Sequence, residues 1–276
     1  MDSVHPKITR RCGTEIISGH VSRVTGAGGP LRVVAASFAM LLATIVSPTQ
    51  AAPLNDTGIT TFGDASSNTL ATEPADYPGQ DASYGRDAAA TAGTLSKIGG
   101  GSAGFDFTKL GAGGNELPAS ATSWSCVRDN VTGLIWEVKT NDGGLRDKDN
   151  TYTWYNPDGS TNGGSAGTQN GGTCAGSACD TYSYAQAVNS QGLCGYSDWR
   201  LPWQEELRSI VDYSIPYPGP AIDTAYFPNT NYWFWSASPY AGYSDYAWDV
   251  SFILWQRLRR RIKSSGKYVR LVRGGQ

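Results

Sequence analysis

The chain has 276 residues, enough for one substantial domain, and its 22 Lys and Arg nearly balance 24 Asp and Glu. Both histidines, His5 and His20, and both methionines, Met1 and Met40, belong to an N-terminal leader. Once that leader is removed no imidazole remains, which excludes Ser-His-Asp and Cys-His catalysis and any zinc site with His ligands.

Residues 1–51 read as a signal peptide. Arg10, Arg11, Arg23 and Arg32 precede an apolar run over 33–46, and Ser-Pro-Thr-Gln-Ala-Ala follows, a small-residue cleavage site after Ala51 or Ala52. The run is short for a membrane span, and an uncleaved leader acting as an anchor is the alternative. The mature chain is expected outside the cytosol (periplasmic, cell-surface or secreted) with no stable membrane span.

Cys12 leaves with the leader, and Cys126, Cys174, Cys179 and Cys194 remain, an even number suited to an oxidising compartment. Four cysteines allow three connectivities. Cys174 and Cys179 bracket Ala-Gly-Ser-Ala, which a local bridge closes easily, leaving Cys126 for Cys194. A four-Cys metal site would need paired C-x-x-C knuckles, which the sequence lacks. No metal and no cofactor are expected.

In chain order, 52–104 is rich in Ala, Gly, Ser, Thr and Asp and reads as a low-complexity linker or an extended wrap. All nine tryptophans follow it, so the packed domain is expected over 105–276. Residues 105–108 alternate like a strand. A turn at Asp129-Asn130-Val131-Thr132-Gly133 separates 124–128 from the β-prone run 134–138. Residues 141–150 place Asp142, Asp147 and Asp149 beside Asn141 and Asn150, but the spacing misses the EF-hand loop, and a solvated acidic loop is the better reading. A Gly/Ser/Thr/Asn-rich loop fills 156–179. A short helix fits 182–190. A second opens at Pro202, has Glu205 and Glu206 in its first turn, and carries an apolar stripe of Leu207, Ile210 and Val211. Over 247–252, Trp248, Val250 and Phe252 alternate with Asp249 and Ser251, the pattern of a half-buried strand. No period holds over 253–267, and 268–272 is again β-prone. Two helices beside many short strands predict an α+β domain with loops carrying much of its mass.

Several of these stretches occur together in a known family. Gly-Leu-Ile-Trp at 133–136, Asp198-Trp199-Arg200-Leu201-Pro202, Glu206-Leu207, Ala-Ile-Asp at 221–223, Tyr226-Phe227-Pro228, Trp-Ser-Ala-Ser at 235–238, Ala247-Trp248 and the ending at 268–276 resemble the Lcl C-terminal (collagen-like-protein C-terminal) domain over roughly 105–276. The resemblance implies a C-type-lectin-like fold of the formylglycine-generating-enzyme type. It also implies a link to diversity-generating retroelements, whose variable proteins keep the scaffold while reverse transcription mutates adenines in their last few dozen codons. Carried over by position, the variable, ligand-binding sites fall at Tyr240, Tyr243, Asp245, Tyr246, Asp249, Ser251, Ile253, Leu254, Arg259 and Arg260. Trp255 stands where a Gly usually turns the hairpin. The related formylglycine-generating enzymes use reactive cysteines near the C-terminal end; no Cys follows Cys194, so that activity lacks its nucleophile.

After Trp255 come eight basic residues and no acidic ones, whereas 52–255 holds nine basic and 22 acidic. Arg257, Arg259 and Arg260 are then candidate contacts of a polyanion-binding tip; the plainer reading is a solvated loop whose arginines pair with the acidic body. Nucleic acid is the weaker partner because the protein is exported. The sequence thus predicts an exported, non-catalytic protein that binds an unknown protein or glycan through 232–273, most simply a retroelement variable protein. The alternative is an undiversified adhesin for glycans or other polyanions.

Overall fold

The computed structural model describes residues 55–253 and 259–274; the expected leader lies outside them, as do Leu254, Trp255 and Arg257. Residues 55–104 lie along the domain. Asn55 donates to Asp129, the Thr57 carbonyl accepts the Tyr213 amide at 2.8 Å, and Arg86 donates to the Gly104 carbonyl at 2.7 Å. This segment carries a helix that its composition did not announce, Gly85–Thr91 (α1). Three successive alanines favour the helix. Buried Asp87 fastens its first turn by accepting the amides of Gly58 and Gly104 at 2.7 and 2.6 Å.

Phe107–Leu110 (β1) pairs antiparallel with Glu116–Leu117 (β2) on one side and Cys126–Asp129 (β3) on the other. The polar turn that follows behaves as its residues demand. Asp129 Oδ1 accepts the amides of Val131 and Thr132 at 3.0 and 3.3 Å, and Gly133 supplies a φ of 74°. Ile135–Glu137 (β4) thereby returns along β3.

Thr181–Gln191 (α2) begins on Asp180, which accepts the Ser183 amide at 2.8 Å, and ends on Gly192 in the left-handed region. Gln204–Arg208 (α3) is shorter than the apolar stripe suggests. The Ser209 hydroxyl donates to the Glu206 carbonyl at 2.7 Å and the helix stops, yet Leu207, Ile210 and Val211 are all buried.

Trp233–Pro239 (β5), Tyr246–Ser251 (β6) and Arg259–Ile262 (β7) form a second antiparallel sheet, and Val272–Arg273 (β8) joins the first beside β4. The architecture among the described residues is therefore α+β, with two antiparallel sheets and three helices. β7 falls where no period was legible. Its sequence, Arg-Arg-Arg-Ile, has no apolar alternation to read, and pairing to β6 makes it a strand.

One core gathers Phe107, Trp136, Leu207, Phe227, Phe234 and Phe252; a second gathers Tyr152, Trp154, Tyr184, Trp199, Trp235 and Leu271. Between them lies a buried polar knot. Glu137 accepts from Lys139 Nζ at 3.0 Å, from the Tyr184 hydroxyl, and from the Leu271 amide at 2.9 Å. Disulfides join Cys126 to Cys194 and Cys174 to Cys179, which fits an extracellular or periplasmic protein. No helix among the described residues is long and apolar enough to cross a membrane.

Candidate binding surface at the C-terminal hairpin

β5 and β6 are joined by a turn over 240–245, closed by hydrogen bonds from the Tyr240 amide to the Tyr246 carbonyl (2.9 Å) and from the Tyr246 amide to the Tyr243 carbonyl (3.1 Å). Gly242 gives the turn room: a Cβ there would stand 2.7 Å from the Tyr240 ring. The turn packs aromatic rings in a row. Tyr240 stacks on Tyr243 at 6.1 Å, Tyr243 tilts against Tyr246 at 5.8 Å, and Tyr240 meets Trp248 edge-on at 5.2 Å. The Arg260 guanidinium lies 5.1 Å over the Tyr240 ring and donates to its hydroxyl at 3.3 Å. Tyr243, Asp245 and Arg260 are exposed, as is Ile262 across the ladder from Tyr246.

Lys263 holds this turn in place. Its Nζ donates to the carbonyls of Asn162, Ser165 and Ser244 at 2.8, 2.7 and 2.6 Å and sits 4.2 Å over the Trp154 ring. The loop at 162–165 and the hairpin turn thus share one buried ammonium, whose pKa desolvation pulls below the ordinary lysine value. Gly163, at φ 69°, passes so close to Pro239 that a Cβ would lie 2.6 Å from its ring.

The opposite face of the sheet is not open. Asp249 is fully buried opposite Trp235 and Arg259 in the ladder. Arg261 Nε lies 3.5 Å from its Oδ2, an ion pair without hydrogen-bond geometry. Burial pushes the Asp249 carboxyl up to about 6, against the opposing pull of Arg261, Lys267 and Arg259. Arg259 and Arg261 lie 4.9 and 5.4 Å over the Trp233 ring.

Residues 125–273, more than half of the chain, match the Lcl C-terminal domain. The chain belongs to the Lcl C-terminal domain family. No curated protein and no solved structure gives a significant match. Within this Lcl domain several of the motifs that carried the resemblance lie in or beside paired strands, while Glu206 and Leu207 belong to α3. Gly133 to Trp136 lead into β4, Trp235 to Ser238 form β5, and the ending forms β8, which also bridges Arg200. Arg200 holds Glu206 through both terminal guanidinium nitrogens at 2.8 and 2.7 Å and reaches the Gly274 carbonyl at 3.0 Å; Asp198 holds Arg273. The match begins at residue 125, so β1, β2 and the wrapped segment lie outside it.

The predicted contact positions divide into four groups. Tyr240, Tyr243, Asp245, Tyr246 and Arg260 share the turn and its face; Arg259 and Ile253 are half-buried, Arg259 on the Trp233 side. Leu254 and Arg257 lie outside the described residues. Asp249 and Ser251 are buried, which corrects the half-buried reading of β6. From Asp249 onward both faces of that strand are covered, Val250 lying in the core with Phe234 while Ala247 shares the other core with Trp235. The eight basic residues also separate. Lys263 and Arg270 are buried, and Arg273 is paired with Asp198. Trp248, which alternation alone places in a strand, also belongs to the ring row through its edge-on contact with Tyr240. In the acidic loop, Asp147 accepts the amides of Asp142, Gly143 and Asp149, and Asp142 accepts that of Gly144. Those carboxylates brace the loop. The carboxylates that do cluster among the described residues are Asp56, Asp81 and Asp87, at the wrap.

Proposed function

We propose that this Lcl domain protein is an exported, non-catalytic ligand-binding protein whose C-terminal hairpin is the binding surface. The observation that carries this reading is the ring row of Tyr240, Tyr243, Tyr246 and Trp248 with Arg260 laid across it. Tyrosine offers large, rigid contact area at low entropy cost, and Tyr, Trp and Arg dominate binding hot spots. The absence of catalysis is supported by the chemistry left in 55–276, which has no histidine and only disulfide-bonded cysteines.

Family membership supports the finer reading of a C-type-lectin-like fold and of a hairpin diversified by a retroelement. On that reading Tyr240, Tyr243, Asp245, Tyr246, Ile253, Leu254, Arg259 and Arg260 vary to change the ligand, while changes at Asp249 and Ser251 act on packing. Sequencing the few kilobases around the gene, and its 3′ end across many cells of one culture, tests this. A nearby near-copy rich in Asn codons beside a reverse transcriptase, with scatter confined to these positions, is expected. One invariant 3′ end without a template copy would overturn diversification. Polyanion binding is the weaker reading, since only part of the basic run is free. Salt-sensitive retention on heparin that is lost in an R259Q/R260Q/R261Q variant would restore it.

A further inference from the structure

A groove lined by residues other than those of the aromatic turn is also present. Where the start of α2 meets the 154–156 segment and the entry to α3, the surface opens into a groove of about 330 Å³, within the range of small-ligand pockets. Its walls are fixed by backbone chemistry. The Thr181 hydroxyl donates to the Tyr155 carbonyl and accepts the Tyr155 amide, both at 2.9 Å, clamping α2 to its neighbour. Across the groove, the Trp203 amide donates to Glu206 Oε2 at 2.7 Å, and the Pro202 carbonyl accepts the amide of Ala237, which also lines the groove.

These rigid walls present two large rings to solvent. Tyr182 is 44% exposed and Trp203 45%, and Tyr155 meets Tyr182 edge-on at 6.2 Å. Exposed rings of this size are costly to leave wet and mark ligand contacts when they converge on one concavity. Beside them stand polar groups that make no hydrogen bond among the described residues: the Gln186 amide, the Tyr155 and Tyr182 hydroxyls and the Trp203 indole N–H. The lining residue with a charge, Arg200, is consumed by its two-pronged pair with Glu206, so the groove offers a ligand no free charge.

We infer that this groove binds a neutral saccharide unit. Flat rings suit the apolar C–H face of a pyranose, and unspent amide, hydroxyl and indole groups at the rim suit its hydroxyls. An anionic ligand would find no unpaired cation. An extended polyproline segment, rising about 3.1 Å per residue, needs a longer track than a compact pocket gives.

The test uses the exported chain from residue 52 and a panel of neutral di- to tetrasaccharides of glucose, galactose, mannose and N-acetylglucosamine. Titration is followed by calorimetry and by tryptophan fluorescence. Binding of at least one member is expected, weakened at least about tenfold in Trp203→Ala and in Gln186→Ala and retained in Trp203→Phe. Gln186 is exposed, so its variant isolates binding from folding. Tyr243→Ala, in the hairpin, should leave saccharide binding unchanged, which separates this site from the proposed hairpin surface. No binding across the panel, binding insensitive to Trp203 and Gln186, or binding of proline-rich peptides instead would overturn the inference.

Discussion

Asp249 is the residue whose environment most contradicts its type. A carboxyl raised to about 6 when folded and near 3.9 when unfolded binds more protons in the native state between those values. Native stability contributed by this group is therefore highest at acid pH and is lost as pH rises from about 4 to about 6. The span corresponds to at most roughly 3 kcal/mol, since one pK unit is worth 1.36 kcal/mol. Asp249→Asn should match the parent at pH 4 and exceed its stability at pH 7; equal denaturant midpoints across that range would show that Arg261 fully offsets the burial. Lys263 is the reverse case, a buried charge with all of its donors spent. Lys263→Met would strand three carbonyls and cost roughly 2–4 kcal/mol. Amides on either side of the pin, in 162–165 and 240–246, should exchange faster with solvent; unchanged protection there would deny the pin its role.

At the scale of elements, the two disulfides differ in what they hold. Cys126–Cys194 spans 68 residues and ties β3 to the segment after α2, whereas Cys174–Cys179 spans five. Chain entropy values the first at about 4 kcal/mol and the second at about 2. Replacing each pair by alanine should lower the unfolding free energy in that order; equal losses would mean that native-state packing, rather than loop closure, sets their worth. The elements legible beforehand were those with strong local chemistry. The Asp129 turn, the β4 run that follows it, and α2 with its flanking Asp180 and Gly192 each carry their own signals. α1 was hidden because its anchors, Gly58 and Gly104, are distant in sequence, and β7 because its partner strand supplies the pairing. The alternation in β6 was real but misleading, since periodicity cannot report a second layer of cover over Asp249 and Ser251.

For the whole molecule, the family boundary and the folding boundary do not coincide. Phe105 and Phe107 are 1% exposed in the core, and β1 covers the edge of β3, yet all precede residue 125. A fragment of residues 125–273 should lack a cooperative unfolding transition, while 55–276 should show one; a sharp calorimetric melt of the fragment would overturn this. The candidate site was legible to the extent that aromatic side chains at 240–248 are conspicuous. Its limits were not legible, because which basic residues reach solvent depends on contacts with Asp198, Glu137 and the 162–165 loop.

The Lys263 pin carries a further consequence, at the level of the genetic code. Both lysine codons begin with two adenines, so an adenine-directed mutagenic process reaching position 263 would replace this residue in most of its products. Each such product would release the loop and turn that share its ammonium. If the hairpin is diversified as proposed, the tract of tolerated change would have to stop short of that codon, and folding alone would set its far edge.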